Sequence, residues 1–144
     1  MGYEIRIHPD LRVAQFRFFG VISVATARRA FEDYVAHPDF DPGFTMISDA
    51  REVTELDASY RRIVTNILGL ARPLRRFDKG ALSIVLVGDE TTYGMVRMLE
   101  QVLDFFSAIQ LRPVWSEEEA LALAKRPEAG FAELFAQTDQ EDVT

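Results

Sequence analysis

Residues 81–107, ALSIVLVGDETTYGMVRMLEQVLDFFS, are the stretch that decides the fold. The first seven residues are nearly all apolar, which is typical of a strand buried on both faces of a sheet. Gly88-Asp89-Glu90 breaks the run, and apolar residues then return at helical spacing. These residues are Met95, Met98, Leu99, Val102, Leu103 and Phe106. A buried strand followed by an amphipathic helix is half of a βαβ unit, so the stretch predicts an α/β fold.

An antiparallel hairpin is predicted ahead of this unit. Residues 3–8 and 11–19 each alternate between apolar and polar side chains, which is the period of half-exposed strands. Pro9 and Asp10 favour a tight turn between them, and Gly20 is expected to end the second strand. We therefore predict that the two strands pair near an edge of the sheet.

Three further helices are predicted from capping residues and apolar faces. Ser23, Asp57 and Ser116 can each accept a hydrogen bond from an amide of a first helical turn, and Ser116 forms a capping box with Glu119. We expect the first of these helices to run to Ala36. The second is expected to bury the residues Tyr60, Ile63, Val64, Ile67, Leu68 and Ala71.

The predicted elements alternate along the chain. With strands at residues 44–48 and 111–115, their order is β-β-α-β-α-β-α-β-α. This order implies an N-terminal antiparallel hairpin that leads into a mostly parallel mixed sheet of about five strands, flanked by four helices. We expect one domain over residues 1–126, followed at residues 127–144 by a short amphipathic segment and an acidic, flexible tail. The apolar residues of that segment are candidates for a self-association interface: Phe131, Leu134 and Phe135.

The chain is acidic and contains no cysteine. A net charge of −7 and a pI of about 4.8 argue against general binding to nucleic acid and against electrostatic docking on anionic membranes. Without cysteine, disulfides, thiol catalysis and thiolate metal sites are excluded. One basic cluster either complements the C-terminal dipole of a helix or forms a patch for an anion or an acidic partner. Its members are Arg72, Arg75, Arg76 and Lys79.

No cofactor or metal site is predicted. No Gly-rich phosphate loop follows a strand, and the spacing of His8 and His37 does not suggest a metal site or a catalytic dyad. No apolar run approaches the roughly 20 residues of a transmembrane helix, and the first residues do not resemble a signal peptide. We therefore expect a cytoplasmic protein without integral membrane association.

Two groups of polar residues are candidates for binding. Asp49 is expected to close the third strand, where open α/β sheets tend to bind ligands, and to form an ion pair with Arg51 that shapes the following loop. A role for Asp49 as a general acid or base would need a raised pKa. Tyr93, Gly94 and Arg97 lie at the start of the third helix, with Arg97 one turn beyond Tyr93. We expect Gly94 to allow close packing of this helix; alternatively, the three residues together contact a ligand or a partner.

Several short segments are similar to those of one superfamily. MISD at residues 46–49, followed by VTELDAS at residues 53–59, resembles the strand, loop and Asp-Ser helix start of the STAS superfamily, the domain of anti-sigma factor antagonists and sulphate-transporter tails. Further segments resemble its SpoIIAA-like group, an uncharacterised bacterial branch related in fold to CRAL-TRIO lipid-transfer domains. These are PDFDPG at 38–43, DAR at 49–51 with Leu56-Asp57, YGMVRM at 93–98, and Trp115 with the Glu-rich helix start. The resemblance covers residues 3–124.

The resemblance implies a SpoIIAA-like fold and adds Asp57 and Ser59 to the candidate binding residues. In phosphorylated antagonists the switch is a serine that directly follows the Asp of an Asp-Ser-Ser-Gly-type motif. Here Ala58 takes that position and Tyr60 replaces the glycine, so the motif departs from the switch pattern. Ser59 is the remaining hydroxyl that phosphorylation could reach at this helix start.

We weigh three functions from these observations. The favoured one is a non-enzymatic binding or regulatory module that acts through a protein partner or through self-association as a homodimer. The alternative is a carrier or sensor of a small apolar ligand, such as a fatty acid or lipid, in a pocket between sheet and helices. An enzyme ranks below both, because no nucleophile, metal cluster or cofactor motif supports one.

Overall fold

The structure, a computed structural model, describes residues 2–57 and 59–142. Within that range the chain forms five strands and six α-helices. The elements are β1 (Gly2–His8), β2 (Val13–Ser23), α1 (Val24–Val35), β3 (Thr45–Asp57), α2 (Tyr60–Gly69), α3 (Ala71–Arg75), β4 (Leu82–Leu86), α4 (Glu90–Phe106), β5 (Gln110–Val114), α5 (Glu117–Leu123) and α6 (Phe131–Asp142). None of these helices is long and apolar enough to cross a lipid bilayer.

The five strands form one sheet in chain order, β1-β2-β3-β4-β5. β1 and β2 pair antiparallel, and the remaining neighbours pair parallel. The predicted hairpin and the predicted mostly parallel sheet are therefore confirmed. Because each parallel pair needs a crossover, α1, α2 with α3, and α4 connect successive strands.

The two faces of the sheet are covered by different helices. Ala14 and Met46 face α1, α2, α3 and α4, with which they form one buried cluster. Their neighbours Val13 and Ile47 point to the opposite face and pack in a second cluster with α5 and α6. Side chains alternate along a strand, so the same two strands contribute to both cores.

β2 continues beyond Gly20, so the predicted end of this strand is wrong. Gly20 takes a positive φ of 76° between two shifts in the β2–β3 register. Glycine adopts this backbone conformation without steric cost, and the strand bends there rather than stopping. It then pairs with β3 as far as Ser23, which caps α1 as predicted, with Oγ accepting from the Thr26 amide at 3.1 Å.

β3 runs to Asp57, although the sequence predicts a strand that ends at Asp49. The added length is stabilised by the extended part of β2, where Ile22 pairs with Leu56 and Ser23 with Asp57. Asp57 is therefore the last residue of a strand and not the cap of the second helix. Ser59 caps α2 instead, with its Oγ accepting from the Arg62 amide at 3.2 Å.

Two residues that were expected to be buried on helix faces are exposed. Leu68 is 55% exposed and Phe106 is 42% exposed. Both lie in the last turn of their helices, α2 and α4. After α2 the chain turns into α3, and there Leu70 and Leu74 occupy the core in place of Leu68.

The segment after Arg126 is a helix that packs on the sheet. α6 extends to Asp142, where a flexible tail is predicted; Val143 and Thr144 lie outside the described residues. Phe131, Leu134 and Phe135 are 8%, 1% and 6% exposed, and the ring of Phe135 stacks on the buried ring of His8 at 4.9 Å. The predicted exposed interface is thus part of the chain's own core. The physical reason is that α5, with seven residues, is too short to cover this face alone.

Candidate functional site

A cavity of about 210 Å³ lies between the sheet and the helices α1, α2 and α4. Small residues leave this space open, since α1 presents Ala27 and Ala30 while the sheet presents Ser48, Ala50 and Ser83. Larger apolar side chains form the walls. They include Phe16, Phe18, Met46, Ile67, Val85 and Leu99. Such a cavity suits a molecule with a mostly apolar surface.

The polar side chains that line the cavity differ in their hydrogen-bond and ion-pair partners. Arg28 spans from α1 to α2, with its guanidinium 3.2 Å from Glu32 Oε1 and 3.4 Å from the Gly69 carbonyl oxygen. Asn66 Nδ2 donates to a backbone carbonyl one turn earlier at 2.8 Å, and Thr92 Oγ1 donates to Asp89 Oδ2 at 3.2 Å. Ser48 and Ser83 are the remaining polar residues of the lining. The cavity therefore offers no unpaired charge to a ligand.

A second cleft of about 280 Å³, lined by both charged and apolar side chains, lies on the opposite face of the sheet, next to α5 and α6. Arg51 Nη2 lies 2.7 Å from Asp49 Oδ2, and Arg51 Nη1 lies 2.9 Å from Glu117 Oε2. The predicted ion pair between Asp49 and Arg51 is present. The loop that this ion pair was expected to shape is absent, because both residues lie within β3.

Arg51 lowers the pKa of Asp49, first through its hydrogen bonds and then through its charge. Burial raises the pKa of Asp49, but the hydrogen bonds and the positive charge of Arg51 outweigh it, so the pKa lies below its ordinary value. The pKa of Arg51 is raised chiefly by its hydrogen bond to Asp49. Asp49 is therefore an ionised, paired carboxylate at neutral pH. This is the opposite of the raised pKa that a general acid would need.

Replacing Asp49 with Asn is expected to lower the free energy of unfolding at pH 7 by about 1 kcal/mol, because Arg51 loses a bidentate partner. The folded-state pKa is depressed, so this stabilisation is present above the unfolded value of 3.8 and is lost as the pH falls through the folded value. Urea denaturation of both proteins across that range is the measurement. Asp104→Asn, at an exposed site, is the control. A difference that does not change with pH would contradict the expectation.

The start of α4 forms an exposed aromatic surface. The ring of Tyr93 stacks on Trp115 at 4.9 Å, and Trp115 is 45% exposed. Arg97 pairs with the buried Glu100 at 3.0 Å, and Arg112 approaches the same carboxylate at 3.4 Å. The contact between Trp115 and Tyr93 is not predicted from the sequence. The element order does favour it, because a residue that directly follows β5 lies near the start of the helix that precedes β5.

Gly94 lies on the exposed side of α4, and a Cβ added there would meet nothing within 4 Å. The expected close packing at this glycine is therefore wrong. The space around it is open for a partner or for solvent.

Gly94→Ala is expected to raise the free energy of unfolding by about 0.5–1 kcal/mol, because alanine lowers the entropy lost on forming the helix without creating a clash. Thermal and urea denaturation will measure this. Gly88→Ala is the contrasting variant, since its Cβ would lie 3.2 Å from the Arg51 carbonyl oxygen and should destabilise the chain. A destabilised Gly94→Ala protein would show that the glycine has a packing role after all.

The structure does not bring all the candidate residues together. Asp49 and Arg51 lie on the α5–α6 face, whereas Tyr93, Gly94 and Arg97 belong to a helix on the other face. Asp57 and Ser59 lie at the start of α2, and Asp57 is separated from Asp49 by on the order of 25 Å of strand. Asp57 pairs with Arg62 at 3.4 Å, and the exposed Ser59 is occupied as a cap.

The sheet order and the helix placement define a SpoIIAA-like α/β fold. Among solved structures, the chain is similar to an uncharacterised protein of the DUF3478 family from Shewanella loihica PV-4, which has a SpoIIAA-like fold. The similarity covers 85% of this chain and 93% of that protein, with a TM-score of 0.53 and 15% identity. A likeness at this identity shows the fold, and the predicted fold is thereby confirmed. No family model and no curated protein matches the chain.

Proposed function

We propose that this protein is a non-enzymatic binding module that holds a small apolar ligand in the cavity between the sheet and α1, α2 and α4. The observation that carries the proposal is the cavity itself, about 210 Å³ in volume and lined by apolar side chains from eight elements. The carrier or sensor, which ranked second on the sequence, thereby becomes the favoured function.

The energetics of the cavity favour occupation by an apolar molecule. Protein interiors are close-packed, so side chains that border an empty space lose van der Waals contacts that a ligand would restore. An apolar cavity of about 150 Å³ is enough to bind benzene or xenon. The cavity described here is larger, and Met46, Met95 and Leu103 in its lining have flexible side chains that can adapt to a ligand.

Native mass spectrometry of the freshly purified protein, beside a denatured sample, tests the proposal. We expect a non-covalent adduct that disappears on denaturation and whose mass gives the ligand. If the ligand is lost during purification, a titration with benzene and cyclohexane serves as the test. The NMR chemical shifts of the methionine methyl groups report binding. A bare protein whose methionine signals do not respond to either compound would contradict the proposal.

The exposed surface at the start of α4 supports a second candidate, binding of a protein partner or of a second copy of the chain. Tyrosine, tryptophan and arginine are the residue types that dominate protein interfaces, and here Tyr93, Trp115 and Arg97 lie together around the open backbone at Gly94. Analytical ultracentrifugation of the wild type and of Trp115→Ala distinguishes this candidate. Self-association that is lost in the variant would support it, whereas a wild-type monomer would remove the second copy as the partner.

A further inference from the structure

Two serine side chains lie on the floor of the apolar cavity. Ser48 is in β3 and Ser83 is in the adjacent strand β4, and both line the cavity. In the parallel register Ser48 pairs with Val85 and Ser83 pairs with Met46, so the serines are diagonal neighbours on one face of the sheet. From the spacing of neighbouring strands and the rise of two residues along a strand, diagonal positions of this kind lie roughly 8 Å apart. Both hydroxyls thus border the same part of the cavity.

Neither hydroxyl has a hydrogen-bond partner within residues 2–57 and 59–142. Ser48 is nevertheless buried, with 7% of its surface exposed. In the described part of the chain, the one side-chain nitrogen or oxygen that is both fully enclosed and unpaired is Nδ1 of His8. Ser48 Oγ is not such an atom, so it still borders open space, and that space is the cavity.

Unpaired hydroxyls at these positions are unfavourable unless something else satisfies them. Buried polar groups in proteins are almost always hydrogen-bonded, and an unpaired hydroxyl in apolar surroundings destabilises the fold. Alanine or valine would suit the floor better, as Ala50 and Val85 show at neighbouring positions of the same lining. The two serines are therefore explained if their partner enters the cavity with the ligand.

We infer that the ligand is a small neutral molecule with an apolar body and one hydroxyl or carbonyl oxygen, and that this oxygen binds between Ser48 and Ser83. The inference rests on the proposed function. One oxygen can reach both hydroxyls when the two Oγ atoms turn toward each other, because the two Cβ–Oγ bonds and a hydrogen bond of about 2.7 Å from each side together span the gap. A carboxylate does not fit the floor, since the lining's one cation, Arg28, is already held by Glu32 and by the Gly69 carbonyl.

Two probes of similar shape test the inference, cyclohexanol with a hydroxyl and methylcyclohexane without one. Their Kd values are measured by NMR titration for the wild type, Ser48→Ala, Ser83→Ala and the hydroxyl-retaining Ser48→Thr. We expect each alanine variant to weaken cyclohexanol roughly tenfold relative to methylcyclohexane. Ser48→Thr should keep the wild-type ratio. Comparing ratios removes any general effect of a substitution on the cavity.

The outcomes separate this inference from the proposed function. If both probes bind and the alanine variants leave their ratio unchanged, the inference is overturned while the apolar cavity keeps its proposed role. If neither probe binds any of the proteins, the proposed function fails as well. A crystal structure with bound cyclohexanol is the second measurement. An ordered water that stays between the two serines, with the probe's oxygen elsewhere, would also overturn the inference.

Discussion

Deletion of residues 127–144 is expected to lower the free energy of unfolding by about 5 kcal/mol or more. The deletion removes three buried apolar side chains, those of Phe131, Leu134 and Phe135, and burial of each contributes about 1.5–3 kcal/mol. It also exposes their apolar neighbours on the sheet. Because a domain of this size is stable by about 5–15 kcal/mol in total, the shortened chain should be largely unfolded at 37 °C. Circular dichroism with urea denaturation is the measurement.

A second truncation is the matched control. A chain that ends after Ala136 keeps the three buried residues of α6 and removes the acidic residues that follow them. We expect its free energy of unfolding to stay close to that of the full chain. If the chain ending at Arg126 were equally stable, α6 would not be part of the core, and the three apolar residues would again be candidates for an interface.

Ala30→Leu is expected to abolish ligand binding, or to weaken it at least tenfold, without loss of stability. Ala30 is 1% exposed, lines the cavity from α1 and faces the sheet. The larger side chain would occupy the space that we assign to the ligand, and it would restore contacts that the empty cavity lacks. Filling a cavity commonly raises the free energy of unfolding by about 0.5–2 kcal/mol. Calorimetric titration with the ligand found by mass spectrometry, together with urea denaturation, measures both effects.

Ala25→Leu is the control for this variant, because it makes the same substitution on the exposed side of α1. It should leave affinity and cavity unchanged. An Ala30→Leu protein that is stably folded and binds with wild-type affinity would show that the ligand binds elsewhere. A destabilised Ala30→Leu protein would instead indicate that the cavity cannot accept the added carbons without strain, and Ala27→Leu would then repeat the test at the next lining residue.

The sequence predicted the parts of the fold that depend on local patterns. The alternating hairpin, the buried β4 and the helix starts at Ser23 and Ser116 all follow from residues within a few positions of one another. The ends of β2 and β3 do not follow from such local patterns. Each of these strands extends because the other one does, through pairs such as Ile22 with Leu56 that are far apart in sequence. Glycine and aspartate were therefore misread as strand ends.

The candidate site also combines contacts that follow from local sequence with contacts that depend on long-range packing. The contact between Asp49 and Arg51 was predictable because residues two apart in a strand point to the same face. The stacking of Tyr93 on Trp115 depends on how α4 crosses β5, and no local pattern reports it. The cavity is harder still to predict, since its volume is what remains when side chains from eight elements have been packed. Ala30, Ser48 and Ser83 leave room only because nothing on the opposing elements fills it.

The stacking of His8 on Phe135 joins an early residue of the chain to a late one, and this has a consequence for folding during synthesis. Each strand pairs with its neighbour in sequence, so the sheet and the helices α1 to α4 can assemble as they leave the ribosome. The opposite face cannot close until α6 has emerged. Until then Val13, Ile47 and Ile84 are covered only by the short helix α5, so the nascent chain carries a partly exposed apolar face.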